Sequence, residues 1–332
     1  MEHLIETVKC RIAAALLLAM SICLTACATL DAAPVSQIEA ADGAFTLPYR
    51  ISSSGRFLID VSIDGGTARP MSVDTGATVS VIYSDFAQSS DLKSSERTLF
   101  VRGLVGAGDR PVIDDVDFQI GPKRFALDQI VLLGTPLIRD EAVGLIGNDI
   151  LEAHIVVFDV GTSQATFAPR DAISRSNFTG WTRIPLRARK VSETNTHLYF
   201  AESNFGRDAI PVLIDTGSNL NFINWTLAKM DSNIRRMERR MQRDGTLQGA
   251  LESTSATTET VFYDLKLGRQ SWDEISVVVT SLSGLASIAP TDEPMMVAGA
   301  ELFTSHTVAF DLKGRSVYIL PDSKPLELSR KR

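Results

Sequence analysis

Cysteine is scarce in this sequence, and the few cysteines lie at one end. The 332 residues contain three, and all of them precede residue 28: Cys10, Cys23 and Cys27. The rest of the chain can therefore form no internal disulfide and offers no thiolate as a nucleophile or metal ligand. A domain of this kind depends on its hydrophobic core, and the 44% hydrophobic content is that of a soluble globular protein.

Several functional signatures are also missing. No Gly-x-Ser-x-Gly elbow of a serine hydrolase occurs. The glycine-rich stretch Gly103–Asp109 lacks the Gly-Lys-Ser/Thr of a P-loop. The formal net charge of −7 argues against a nucleic-acid partner. No residue pattern indicates a metal site or a cofactor, so we expect neither.

The amino-terminal segment is predicted to be a targeting signal. Lys9 and Arg11 precede an uncharged apolar run that ends in Leu24-Thr25-Ala26-Cys27. This Leu-small-small-Cys sequence resembles the lipobox of bacterial lipoproteins, whose cysteine is lipidated. The resemblance implies a signal peptide at residues 1–26 and a lipid anchor on Cys27. It also implies a periplasmic location, at the outer membrane rather than the inner one because alanine, not aspartate, follows the cysteine.

An uncleaved membrane anchor is the alternative for this segment, because the uncharged run is only just long enough to span a bilayer. In either case the rest of the chain is expected to be exported. The small and polar residues at 27–45 are interpreted as a flexible tether between the membrane and the folded domain.

One short sequence occurs twice. Asp74-Thr75-Gly76 and Asp215-Thr216-Gly217 stand 141 residues apart. At the same offset, without a gap, Pro70 aligns with Pro211, and further glycines and apolar positions also match. The match extends well beyond the triplets and indicates an internal duplication.

Short apolar runs separated by glycine-rich turns predict an all-β fold, in which each triplet follows a strand. The repeat divides the chain into an amino-terminal lobe at 46–170, a linker at 171–181 and a carboxy-terminal lobe at 182–322. Residues 323–332 remain as a tail.

Each half also contains a predicted hairpin with a glycine-rich tip, because glycines permit the positive φ angles of tight turns. After the first tip, strands are predicted separately at 111–116 and 117–121. The glycines of the two tips are Gly103, Gly106 and Gly108 in the first half and Gly245 and Gly249 in the second.

Two Asp-Thr-Gly triplets at strand ends, each followed later by an apolar-apolar-Gly segment, resemble the aspartic proteases, and the halves resemble the retropepsin type more than pepsin. The resemblance implies two homologous β-barrel lobes related by a pseudo-twofold axis. It also implies that Asp74 and Asp215 activate a water for peptide-bond hydrolysis. The substrate would be a polypeptide bound beneath the hairpin tips. Fusion of the lobes implies a monomer.

The resemblance extends to the residues that would support the aspartates by bracing the loops, admitting backbone amides or packing behind. These residues are Thr75, Gly76, Ala77, Thr216, Gly217, Ser218, Gly147 and Gly299.

The position after each triplet differs between the halves. It is Ala77 in the first half and Ser218 in the second. A serine hydroxyl could donate a hydrogen bond to Asp215 and lower its pKa, which alanine cannot do for Asp74. We therefore expect Asp215 to be the more readily ionised carboxyl group and Asp74 to keep the proton.

Other interpretations remain open. A peptide-binding or scaffold protein that kept this fold and lost turnover is the main alternative. Pairing of lobes between chains is disfavoured because fusion makes the intramolecular pair more concentrated. His154 and His306 are interpreted as structural. The basic segment at 234–243 is read as a solvated helix or, alternatively, as a surface for acidic substrate or anionic lipid.

Overall fold

The computed structural model describes a mostly β protein, which confirms the prediction that the chain folds mainly into β-strands. The described residues are 33–136, 140–191, 196–205, 208–231, 234, 245–248, 254–286, 288 and 292–321. The predicted signal peptide, Cys27, Gly249, the basic segment at 235–243 and the tail lie outside them.

Most strand bounds agree with the predicted apolar runs. The strands of the first half are β1 (Phe45–Pro48), β2 (Arg50–Ile51), β3 (Phe57–Ile63), β4 (Arg69–Val73), β5 (Val81–Tyr83), β6 (Thr98–Arg102), β7 (Ala107–Ile120), β8 (Lys123–Leu133), β9 (Gly144–Ile146), β10 (His154–Asp159) and β11 (Gln164–Pro169). Those of the second half are β12 (Thr182–Pro185), β13 (Arg187–Lys190), β14 (His197–Phe205), β15 (Asp208–Asp215), β16 (Asn221–Asn224), β17 (Gly245–Gln248), β18 (Thr254–Leu267), β19 (Gln270–Thr280), β20 (Met296–Gly299), β21 (Val308–Asp311) and β22 (Ser316–Ile319).

Helices are short and connect the strands. The α-helices of the described chain are α1 (Ala33–Glu39), α2 (Ser84–Ser89), α3 (Asn148–Leu151) and α4 (Trp225–Met230). Turns of 3-10 helix occur at Arg170–Ala172, Arg175–Phe178, Ser283–Leu285 and Ala300–Leu302. Within the described ranges, every helix is too short or too polar to cross a membrane.

The duplication is visible in two eight-stranded sheets of corresponding order. One runs β2-β3-β4-β9-β5-β8-β7-β6 and the other β13-β14-β15-β20-β16-β19-β18-β17. In each sheet the strand that leads into a triplet, β4 or β15, pairs in parallel with β9 or β20. These strands carry the apolar-apolar-Gly segments, so each segment lies directly beside a triplet.

A third sheet joins the two halves. Its six strands run β1-β11-β10-β21-β22-β12, with three contributed by each half. β10 and β21 pair at its centre, where Val157 lies opposite Ala309. Behind them, Phe158 stacks on Phe57 at 4.1 Å between ring centroids and meets the edge of Phe310 at 6.2 Å. The largest hydrophobic cluster therefore contains residues of both halves.

Two predictions about local structure were wrong. Residues 27–45 are not a tether throughout, because α1 buries Ile38 completely against Ile155 and Trp181. A single large apolar residue among small and polar neighbours does not predict a docked helix. The strands predicted at 111–116 and 117–121 are one continuous strand, β7. Asp115, in the middle of β7, has a φ angle of +53°, which interrupts the regular extended geometry. The alternation of apolar and polar residues is interrupted at the same place, and this is why two strands were predicted.

The predicted linker also belongs to the packed structure. Phe178 stacks on Tyr318 with ring centroids 3.9 Å apart, and Trp181 meets the edge of Phe178. The chain thus crosses from one half to the other over the outer face of the shared sheet, where its aromatic side chains join the same cluster as Ile38.

Replacing Ile38 with alanine tests the docking of α1. The side chain is fully buried, so Ile38→Ala should lower the free energy of unfolding by about 2–5 kcal/mol. Urea denaturation followed by tryptophan fluorescence measures this change. Gln37→Ala is the matched control, because Gln37 is exposed on the same helix. Equal stability of the two variants would contradict the packing described here.

Candidate active site

The two aspartates stand where the eight-stranded sheets face each other. Asp74 directly follows β4, and Asp215 is the last residue of β15. The backbone N–H of Asp74 donates to the carbonyl of Ile146 at 3.0 Å, while Asp215 lies opposite Gly299 in the parallel pairing. Both are buried, with 7% and 8% of their surface exposed. The carboxyl groups are thus largely withdrawn from water.

The two threonines connect the triplets by reciprocal hydrogen bonds. The Thr75 hydroxyl donates to the carbonyl of Ile214 at 2.8 Å, and the Thr216 hydroxyl donates to that of Val73 at 2.7 Å. Each hydroxyl also accepts the backbone N–H of the other threonine at 3.1 Å. Because both side chains are fully buried, these bonds fix the separation of the two loops.

The glycines of the triplets permit a close approach that no side chain would allow. The N–H of Gly76 donates to Asp74 at 2.8 Å, and that of Gly217 donates to Asp215 at 3.1 Å. A Cβ on Gly76 would lie 2.5 Å from the Cγ of Asp215, and one on Gly217 would lie 2.0 Å from an oxygen of Asp74. Each loop thus lies against the opposite carboxyl group, and the two carboxyl groups are within hydrogen-bonding reach of each other.

Burial and mutual repulsion raise the pKa values of the two carboxyl groups to different extents. Burial raises the pKa of Asp215 well above its usual range, and the nearby charge of Asp74 raises it further. Burial also raises the pKa of Asp74, but the N–H of Gly76 and the charge of Arg56 oppose that rise. The two carboxyl groups therefore share one proton, and the groups that oppose protonation of Asp74 favour Asp215 as its carrier.

The reason given for the expected order of ionisation is not found in the structure, because the Ser218 side chain does not contact Asp215. Its hydroxyl donates to the carbonyl of Leu220 at 2.7 Å rather than to a carboxylate. Only its backbone N–H donates to Asp215, at 3.1 Å. Ala77 has a backbone N–H as well, so the difference between the two side chains does not favour ionisation of Asp215.

The apolar-Gly segments lie behind the triplet loops in both halves. A Cβ on Gly147 would be 2.5 Å from the carbonyl carbon of Val79, and one on Gly299 would be 2.3 Å from the carbonyl oxygen of Leu220. The residue after each glycine donates its N–H to a carbonyl of the triplet loop. Asn148 donates to Ala77 at 2.8 Å, and Ala300 donates to Ser218 at 2.7 Å. Both loops are thereby held from behind.

A second pair of polar contacts escaped the sequence analysis. Ser80 donates from its amide and its hydroxyl to Asp149, at 2.7 Å each, and the equivalent Asn221 donates to Glu301 at 3.3 Å. The same two side chains accept the N–H of the glycine behind each loop, at 3.1 Å and 2.9 Å. An acidic residue two places after each glycine was the available signal.

Arg56 was also missed, because nothing in the sequence marks it. It lies just before β3 and is buried, with its guanidinium bonded to Asp140 and directed at the carbonyl of Gly217. Its partner Asp140 is distant in sequence, so only the fold brings the pair to the triplets.

The first hairpin tip closes onto the second half of the molecule. Gly103 and Gly106 lie at the turn between β6 and β7, whereas Gly108 is within β7. Leu104 accepts the N–H of Gly284 at 3.2 Å and packs on an apolar cluster of the second half. Val105 at the tip is only 3% exposed.

The second tip differs from its prediction. Gly245 is not at the turn but opens β17, where it lies opposite Thr257. Gly249 itself lies outside the described residues.

The remaining predicted side chains lie away from the triplets. The His154 ring contacts the carbonyl of Ile150 at 3.1 Å and packs edge-on against Phe125 and Phe167. Burial lowers the pKa of His154 and of His306. Across the described ranges, no group of three or more His, Asp or Glu residues is placed to hold a metal ion.

Comparison with known proteins yields only distant similarities. No family model matches the chain, and no curated protein matches it. Solved structures that match include the crystal structure of edgp and that of conglutin gamma, a basic 7S globulin from lupine seeds. Each is 12% identical to this chain, with 83% of this chain and 94% of the other covered and a TM-score of 0.46. The functional argument therefore depends on the geometry of the site.

The contact of the first tip with Gly284 can be tested by adding one methyl group. A Cβ there would lie 2.0 Å from the carbonyl oxygen of Gly103 and 2.6 Å from that of Gly106. Gly284→Ala should displace the tip and speed hydrogen exchange of its amides about tenfold, as expected for a loss of about 1.4 kcal/mol. Ser283→Ala, at the exposed neighbouring position, is the control. Unchanged exchange in both variants would refute the contact.

Proposed function

We propose that this protein is an aspartic endopeptidase, which hydrolyses peptide bonds with a water molecule held between Asp74 and Asp215. The observation that carries the proposal is the reciprocal meeting of the two triplets. Threonine hydroxyls lock the loops together, and the glycines let each loop lie against the buried carboxyl group of the other half. Such a pair has an acid and a base side by side, as hydrolysis requires.

The proposed mechanism follows from where the proton resides. Asp74 is ionised and accepts a proton from the bound water, whose oxygen attacks the scissile carbonyl carbon. Asp215 is protonated and donates a hydrogen bond to the carbonyl oxygen, where negative charge develops. The tetrahedral intermediate collapses when Asp74 passes the proton taken from the water to the leaving amine nitrogen, so the C–N bond breaks and Asp74 is ionised again. No covalent intermediate with the protein forms.

The same proposal interprets the architecture. The two eight-stranded sheets are homologous β-barrel lobes related by a pseudo-twofold axis, and the six-stranded sheet is their common base. Corresponding strand orders support this interpretation. An extended polypeptide would bind in the cleft between the lobes, beneath the first hairpin tip. Because one chain supplies both aspartates, a monomer is sufficient.

Removal of either carboxylate tests the activity. A soluble protein starting at Ala28 is incubated with a diverse peptide mixture from acid to neutral pH, beside its Asp74→Asn and Asp215→Asn variants. Either change should lower the cleavage rate at least about 10²–10⁴-fold, because each leaves only an acid or only a base. Asp60→Asn is the control, since Asp60 is exposed.

The pH profile adds a signed expectation. Activity should fall as pH rises through the raised pKa of Asp215, because the second carboxyl group then ionises. That fall should come above the pH at which ordinary carboxyl groups titrate. Cleavage that persists in both Asn variants would contradict the mechanism. An unmodified protein that is folded but inert would favour the peptide-binding alternative.

We further propose that Cys27 is lipidated and anchors the protein in the outer membrane, facing the periplasm. The lipobox-like sequence before Cys27 supports this location. Cys27→Ser should abolish fatty-acid labelling and move the protein to the soluble fraction. Cys23→Ser, within the apolar run, should leave both unchanged. If Cys27→Ser stays in the membrane at the mass of the uncleaved chain, the segment is a membrane anchor instead.

A further inference from the structure

A buried ion pair lies beside one of the two aspartates. Arg56 binds a single oxygen of Asp140 through Nε at 2.9 Å and Nη2 at 2.6 Å. Only 11% of the arginine side chain and 2% of the aspartate side chain are exposed. Asp140 also accepts the hydroxyl of Ser54 at 2.7 Å and the N–H of Ala142 at 3.0 Å. These donors outweigh burial, and the pKa of Asp140 is lowered.

The guanidinium also reaches across to the opposite triplet. Its Nη1 donates to the carbonyl of Gly217 at 3.4 Å. Gly217 lies against the Asp74 carboxyl group, since a Cβ on this glycine would be 2.0 Å from an Asp74 oxygen, and the bond to Gly217 therefore brings the guanidinium towards Asp74. Its positive charge opposes the rise that burial causes in the pKa of Asp74 and in that of Tyr83 on β5. The titratable groups gathered here are Arg56, Tyr83, Asp140, Asp74 and Asp215.

The second half has no such cation at the equivalent place. Leu58 lies opposite Ser72 as Phe200 lies opposite Leu213, so the residue equivalent to Arg56 is the buried Leu198. The titratable residue next to it is His197. Its ring nitrogen Nδ1 lies 3.1 Å from Glu152, which also accepts the hydroxyl of Tyr199 at 2.8 Å. The His197 side chain is therefore engaged with a carboxylate behind the site, not with a triplet. The arginine charge breaks the symmetry that the backbone of the two loops otherwise maintains.

Stability alone is a poor reason for this arrangement. Removing two charges from water costs free energy that a buried pair seldom recovers, and apolar side chains of similar size often serve as well. Arginine remains charged at any pH that the protein meets, so the field on Asp74 is permanent.

We propose that Arg56 is a positioning residue for the proposed hydrolysis: its buried charge keeps Asp74 as the ionised carboxylate, so that the shared proton resides on Asp215. Asp140 holds the guanidinium in place, and the bond to Gly217 directs it towards the pair. Arg56 does not touch the reacting atoms. It decides which of two similar carboxylates is the base and which is the acid, and this inference rests on the function proposed above.

Carbon-13 NMR titration of the aspartate carboxyl groups tests this assignment without turnover. Resonances of Asp74 and Asp215 are identified from their Asn variants in the full folded protein. In Arg56→Gln the lower of the two dyad titrations should move upward by about one pH unit or more, since a cation within about 4–6 Å has that effect. Arg56→Lys should move it less, because the charge remains.

Two further variants guard against misfolding and a purely structural role. Arg56→Gln combined with Asp140→Asn leaves no unpaired buried charge, and it should show the same upward movement. Arg170→Gln is the matched control, because it breaks another buried Arg–Asp pair, with Asp311 at 2.6 Å, away from the triplets. It should leave the dyad titration unchanged.

The outcomes separate this inference from the proposed function. If the dyad titrates alike in the unmodified protein, Arg56→Gln and the double variant, Arg56 has no positioning role and the inference is overturned. If the titration moves as expected while the unmodified protein cleaves no peptide, the electrostatic role of Arg56 stands and the endopeptidase proposal fails.

Discussion

The reciprocal hydrogen bonds between Thr75 and Thr216 are the interaction on which the rest of the structure depends. Each buried hydroxyl donates to a carbonyl of the opposite half and accepts an N–H from it, so four hydrogen bonds pair both hydroxyls, both carbonyls and both N–H groups without water. Loss of one hydroxyl would leave partners on both sides unpaired, which costs more than the bond itself contributes. The halves are therefore held at one separation, and the separation of the carboxyl groups follows from it.

The two halves are joined at two places, the six-stranded sheet and the contact between the triplets. Pairing of β10 with β21, and the aromatic stack of Phe57, Phe158 and Phe310, join the halves at their base. The threonine bonds join them at the site. Hinge motion between the halves is restricted by both. The first hairpin tip adds a third connection, because the carbonyl of Leu104 accepts the N–H of Gly284 from the second half.

The sequence predicts the parts of the site that obey the repeat. Asp74, Thr75 and Gly76 and their counterparts are placed by two matching strands, and a 141-residue offset is visible without a structure. Ser80 and Asn221 are also 141 residues apart, so the same comparison could have identified them as equivalent positions.

The sequence does not predict features that depend on one side-chain conformation or on residues far apart in the chain. The Ser218 hydroxyl has a carbonyl and a carboxylate nearby, and only the backbone conformation of its loop decides between them. Arg56 and Asp140 are 84 residues apart, and no pattern links them. A single buried Ile38 among small residues gives no periodic signal for a docked helix. Composition and periodicity report on averages, whereas these features depend on individual contacts.

The presence of both triplets in one chain also has an evolutionary consequence. In a dimer of identical lobes, every substitution would appear on both sides of the site, and a cation placed beside one aspartate would also stand beside the other. Within a fused chain, position 56 can be arginine while the equivalent position 198 is leucine. Two copies within one chain can therefore differ, and the role proposed for Arg56 depends on that difference.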